Sequence, residues 1–167
     1  MISPTAEPQF VQVRPEIGCK ASDCFENVRK KAARESGRIQ FGSNVWEWPG
    51  IYLEAENHAV YAPPDDSALR DITPSEIRAP RHLFVPDDSA TYNFENEGVL
   101  RDNLRYRLVE DPLLDELFKA AAERTRYKNE LPGVGMITIH ASEGKVLQKL
   151  ETMLTFLAMA RLWPPDP

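Results

Sequence analysis

The sequence predicts an α+β fold: an N-terminal helix that carries a cysteine, an antiparallel sheet for it to pack on, and helices toward the C-terminal end. Three observations carry this. Residues 23–37, "DCFENVRKKAARESG", space their apolar positions as a helix does, between a capping signal and a glycine. From 38 to 85 the apolar period falls to two, and short turns separate the runs. From 111 onward the helical period returns. At 167 residues the chain has one-domain length and can bury a core without disulfides or a structural metal. A single domain over 1–167 is expected, with a core at 20–90 and a mainly helical extension at 104–167.

The elements follow in order. "FVQV" (10–13) reads as a short strand bounded by Pro8 and Pro15. Asp23 and Glu26 form a D-x-x-E capping box, which makes Cys24 the first helical residue. Phe25, Val28 and Ala32 define the helix's buried face, and Gly37 suits the left-handed position that closes it. "RIQFGSNVWEW" (38–48) and "IYLEAENHAVYA" (51–62) read as two strands across a Pro49-Gly50 turn. "LRDIT" (69–73) and "RHLFV" (81–85) are two more, each stopped by a proline, so a meander is expected. Residues 86–103 are polar and acidic and read as loop. Asp111 caps a helix over 111–130, with Pro112 in its first turn and Leu113, Leu114, Leu117, Phe118 and Ala121 as its buried stripe. "MITIH" (136–140) suggests a strand, and a last amphipathic helix starts at Ser142.

Composition excludes several classes. The content is 42% apolar and 28% charged, as in soluble globular chains. A formal charge of −6 argues against a nucleic-acid partner. No run of about 18 apolar residues is present, so no membrane partner is expected. The first residues show neither a basic nor an apolar leader region, and a cytoplasmic location with reduced thiols is expected. Cys19 and Cys24 are the only cysteines; they form neither a disulfide framework nor a C-x-x-C redox motif.

Cys24 stands out by position. At the first turn of a helix a thiol lies near free backbone N–H groups and the positive end of the dipole, a setting that favours thiolate. His58 lies on a following strand and Asp71 on the next. A hairpin centred on "PPDDSA" (63–68) would set His58 opposite Asp71. A thiol, an imidazole base and an orienting acid make up the constellation of thiol hydrolases. The Cys24 N–H is the natural first oxyanion donor; Gln12, Asn27, Asn44 and Trp46 remain open as the second. Trp46 and Trp48 flank Glu47 and would suit a substrate groove, although core or rim packing explains them as well.

Cysteine on a helix N-terminus, then histidine and aspartate on successive strands, resembles the transglutaminase-like branch of the papain-like superfamily. The pieces "CFENV", "GRIQFG", "WEWPGIYLEAENHAV", "DITP" and "HLFVPD", spread over about residues 20–90, also resemble the N-terminal region of bacterial SEC-C-type proteins. No cysteine follows Cys24, so the zinc-chelating SEC-C tail is missing and its zinc is not carried over. The resemblance implies a papain-like or transglutaminase-like core with Cys24 as nucleophile, His58 as base and Asp71 as orienting acid, without a cofactor. The substrate would be a peptide, a protein, or a small amide or ester.

Two other readings use the same residues. One is a peptide- or protein-binding module that does not turn over. The other is a zinc protein with Cys19, Cys24, His58 and His82 as ligands, although these come from four separate places. The apolar stripe of the last helix fits core packing, or a homodimer contact.

Overall fold

The structure is a computed structural model that describes residues 7–65, 67–75, 79–95 and 99–130, with single positions 145, 148, 149, 152, 153 and 155. Its elements are β1 (Gln9–Val13), α1 (Cys24–Glu35), β2 (Arg38–Trp48), β3 (Tyr52–Ala62), β4 (Arg70–Asp71), β5 (Arg81–Pro86), β6 (Leu104–Arg107) and α2 (Pro112–Glu130). The fold is α+β. The expected strand at 136–140 lies outside the described residues, as does most of the last helix and any dimer contact through it. The six described positions of that helix are helical and exposed.

The sheet runs β2-β5-β1-β4-β3-β6, and β2 also pairs with β3. That extra pairing closes β2, β5, β1, β4 and β3 into a five-stranded barrel, with β6 added outside the ring. A meander is therefore not what forms. β1 inserts between β5 and β4, antiparallel to the first and parallel to the second. The segment after 103 is not wholly helical either, because Leu104–Arg107 pairs along the start of β3. Parallel β1–β4 pairing is long-range, and no turn between the two strands announces it. Among the described residues, no helix is long and apolar enough to cross a membrane.

β2 and β3 form one long hairpin, from Arg38↔Ala62 to Trp48↔Tyr52. Alternation sorts its side chains onto two faces. Ile39, Phe41, Ala59 and Tyr61 pack with Val28, Phe25 and Ala32 of α1, as the helix's apolar spacing predicts. His58 and Val60 point to the other face, where Val60 meets Val11 and Phe84. Gly42 sits opposite His58 in register. A Cβ there would fall inside contact distance of the Val85 carbonyl oxygen and the Phe84 ring. Gly42→Ala is therefore expected to destabilise the fold by about 1–3 kcal/mol, read as a lower denaturant midpoint. An unchanged midpoint would mean that β2 and β5 approach less closely than described.

The ends of α1 differ from the expectation. Asp23 does occupy the N-cap, but its side chain makes no capping bond. Glu26 pairs with Arg29 and Lys30 on the exposed face instead of reaching back. At the other end Ser36 takes the left-handed position, with φ 56°. Gly37 serves a different need: a side chain there would run into the Tyr61 ring. The charge of Lys31 is buried, and Glu16 at 2.5 Å and Glu35 at 2.8 Å neutralise it. Glu16 thereby ties the segment after β1 to the helix. On α2 the Asp111 side chain accepts the Leu113 N–H at 2.8 Å, as expected of a cap. Leu114 and Leu117 pack on Tyr52, beside Trp48 and Phe118. Leu113, expected in the stripe, is exposed.

Candidate functional site

Cys24 opens α1, and three hydrogen bonds hold that end of the helix in place. The Asn27 amide donates to the Lys20 carbonyl at 2.8 Å and to Thr73 Oγ1 at 3.2 Å. Its Oδ1 accepts the Lys20 N–H at 3.1 Å. Asn27 thus staples the loop before the helix to the segment after β4. Ser22, two residues before Cys24, has a left-handed backbone with φ 59°, a conformation that costs a non-glycine residue about 1–2 kcal/mol.

β4 delivers Asp71, whose carboxylate is nearly dry. One oxygen, Oδ1, accepts the Thr73 N–H at 2.9 Å. The other, Oδ2, lies 2.9 Å from His58 Nε2. The chain beyond β1 fixes the backbone on either side: Arg14 N–H bonds the Asp71 carbonyl at 2.7 Å and Glu16 N–H the Ile72 carbonyl at 3.1 Å. The β3–β4 register pairs Tyr61 with Arg70, two residues displaced from the one in which His58 faces Asp71. Asp71 is a diagonal neighbour of His58, which its carboxylate still reaches.

Among the described residues, His58 lies where β3 has no strand paired on one edge. β4 pairs with that edge at Tyr61 and β6 at Tyr52–Ala55, and the stretch around His58 falls between them. Burial alone would push the imidazole's pKa down. The hydrogen bond to Asp71 and the hydrogen bond and charge interaction with Cys24 outweigh it and raise His58 to about 10. With Nε2 held by Asp71, Nδ1 is the ring nitrogen left for the Cys24 thiol. Cys24, His58 and Asp71, which are 34 and 13 residues apart in the chain, thus meet at one helix end.

A fourth group joins them. His82 of β5 packs edge-on against His58, with ring centroids 5.6 Å apart, and its Nδ1 lies 3.6 Å from Asp71 Oδ2. Its Nε2 is buried without a hydrogen-bond partner. Burial drives its pKa down to about 4; Asp71 opposes the shift and His58 reinforces it. Sequence reasoning placed His82 only in a zinc set with both cysteines. The signal that finds it here is its alternation with Phe84, which puts both on the inner face of β5. Cys19 is elsewhere, against the Val28–Tyr61 cluster under α1. The zinc set that includes both cysteines does not assemble.

Cys24, His58, Asp71 and His82 line a cleft of about 880 Å³. Loop residues 90–93, 99–101 and 103 and part of α2 form its other walls. Asn44, Trp46 and Trp48 also line it. Asn44 is buried with its Oδ1 unpaired. Trp46 Nε1 donates to Glu56 at 3.0 Å, and Trp48 stacks on Tyr52. Glu54, on the same strand face, is taken up by Arg105 at 2.9 Å and Asn103 at 3.0 Å. Two proposed donors are not on the cleft. Gln12 is exposed on β1 between Arg70 and Arg81, and both ends of the Asn27 amide are engaged in the staple. The fold and site together define a small α+β barrel protein with a helix-mounted cysteine facing a buried imidazole–carboxylate pair. No family model, curated protein or solved structure matches the chain.

Proposed function

We propose that the protein is a thiol hydrolase or acyltransferase with a papain-like or transglutaminase-like core. The observation that carries this reading is that the His58 imidazole interacts with both Cys24 and Asp71, its Nε2 lying 2.9 Å from Asp71 Oδ2. The raised pKa of His58 keeps an imidazolium beside the thiol, the condition for an ion pair at neutral pH.

The Cys24 sulfur attacks the carbonyl carbon of an amide or ester in the cleft. The oxyanion so formed is met by the Cys24 N–H, with the Asn44 amide of β2 as the second donor on the cleft wall. His58 gives its Nδ1 proton to the leaving amine or alcohol, the carbon–heteroatom bond breaks, and a thioester remains. Water or an amine then attacks the thioester and loses its proton to His58. The acyl product leaves and the thiol–imidazole pair is restored. Asp71 holds the ring through Nε2 and balances its positive charge. The tryptophans and the loop wall make the cleft apolar enough to seat an acyl group or peptide side chain, as a cytoplasmic hydrolase of peptides or small amides needs.

Iodoacetamide tests the reading. At pH 6, Cys24 is expected to alkylate at least about tenfold faster than Cys19, whose thiol burial, the nearby Glu16 reinforcing it, pushes to a higher pKa. Equal, slow rates would sink the enzyme reading and leave a binding module on the same fold.

A further inference from the structure

We infer that His58, Asp71 and His82 form a binding site for a divalent first-row transition metal ion, with zinc the best fit, on the inner wall of the cleft. Each residue offers one ligand atom, all three residues are buried, and these atoms lie within 4.8 Å of one another. Two imidazoles and a carboxylate form a donor set that such ions accept. Zinc bonds of 2.0–2.1 Å in a tetrahedron put ligand atoms about 3.3 Å apart. The separations from Asp71 Oδ2, 2.9 Å to His58 Nε2 and 3.6 Å to His82 Nδ1, bracket that value. The ligands sit on β3, β4 and β5, three strands of one closed barrel, which holds them more rigidly than loops would.

His82 is what calls for the ion. The array of Cys24, His58 and Asp71 is complete without it. At 3.6 Å from Asp71 its Nδ1 is beyond hydrogen-bond range, and its Nε2 is buried and unpaired. A buried ring left this unsatisfied costs about 1–3 kcal/mol unless something binds it. Cys24 is not part of the ligand group; with Nε2 facing Asp71, the nitrogen of His58 left to it is Nδ1. The three ligands all line the cleft, so a fourth position is open to water.

An ion on His58 Nε2 displaces the bond to Asp71 and stops the ring from carrying a second proton. Metal occupancy and an imidazolium at His58 therefore exclude one another. That consequence rests on the hydrolase reading; the ion site itself does not.

The test uses the full chain and Co²⁺ as a spectroscopic probe. One equivalent is expected to bind, with the visible bands of a four-coordinate nitrogen–oxygen site and no thiolate charge-transfer band, and Zn²⁺ should displace it. His82→Phe should weaken binding by more than about tenfold, and Cys24→Ser should not weaken it. Failure of millimolar Co²⁺ and Zn²⁺ to bind, unchanged affinity in H82F, or a thiolate band would each overturn the proposal. If H82F does not fold, the wild-type and C24S spectra decide alone. Zn²⁺ should also slow Cys24 alkylation in wild type but not in H82F; equal slowing in both overturns the proposed ligand set. Slow alkylation in metal-free wild type that still binds Co²⁺ would remove the hydrolase reading and keep the ion site.

Discussion

Replacing His58 with phenylalanine is expected to slow alkylation of Cys24 at pH 6 by about a hundredfold. An ordinary thiol, with a pKa near 8.5, is only about 0.3% thiolate at that pH, so a rate well above this level requires a neighbouring cation. His58 is that cation, because the groups around it raise its pKa to about 10. The pH profile separates this role from a packing role. The H58F rate should rise as an unassisted thiol's does, about tenfold per pH unit up to about pH 8, while the wild-type rate should depend on pH less steeply. Parallel profiles for the two proteins would remove His58 from the chemistry. Phenylalanine keeps the ring volume beside Gly42, so the comparison does not turn on a cavity.

The second large effect falls on stability. Asp71→Ala is expected to cost about 3–5 kcal/mol, because it strands a buried charged partner. The substitution removes the 2.9 Å bond to His58 and the equally short one to the Thr73 N–H, and water replaces neither well in a nearly dry site. The loss should depend on pH. Cys24 from α1, Asp71 from β4 and His82 from β5 are the titratable groups around His58; Asp71 and Cys24 outweigh burial and leave its folded pKa well above the ordinary value. A raised histidine stabilises the fold fully below the unfolded pKa of about 6.5 and loses that contribution as pH rises through its folded value. The gap in urea stability between wild type and D71A should therefore be widest near pH 6 and should shrink toward pH 10. A gap that widened with pH would mean that His58 is buried neutral.

Much of the local structure is legible in the sequence because it is set by neighbours. Cys24 does begin α1, the strand at 38–48 falls where alternation puts it, and the one expected at 81–85 forms and takes in Pro86 as well. The approach of His58 to Asp71 was also foreseeable, since both flank one turn, although the register differs by two residues. What escaped depends on partners far away in the chain. Glu26 had two exposed cations within four residues and no need of the helix's first N–H. Gly37 is required by the Tyr61 ring, which no local pattern reveals. β6 is four residues long and becomes a strand because β3 offers it an edge. His82 reads as one polar residue in an apolar strand until the barrel closes and turns it toward Asp71.

The place of β1 also bears on how the chain comes off the ribosome. Its described partners are Arg70–Asp71 and Arg81–Phe84, so this strand stays without them until almost 60 more residues have been made. Contacts this distant in the chain slow folding. Over that interval α1 and the β2–β3 hairpin can dock on each other, but Asp71 has no wall to stand on. The meeting of His58, Asp71 and His82 should therefore wait for β5, and come in one step.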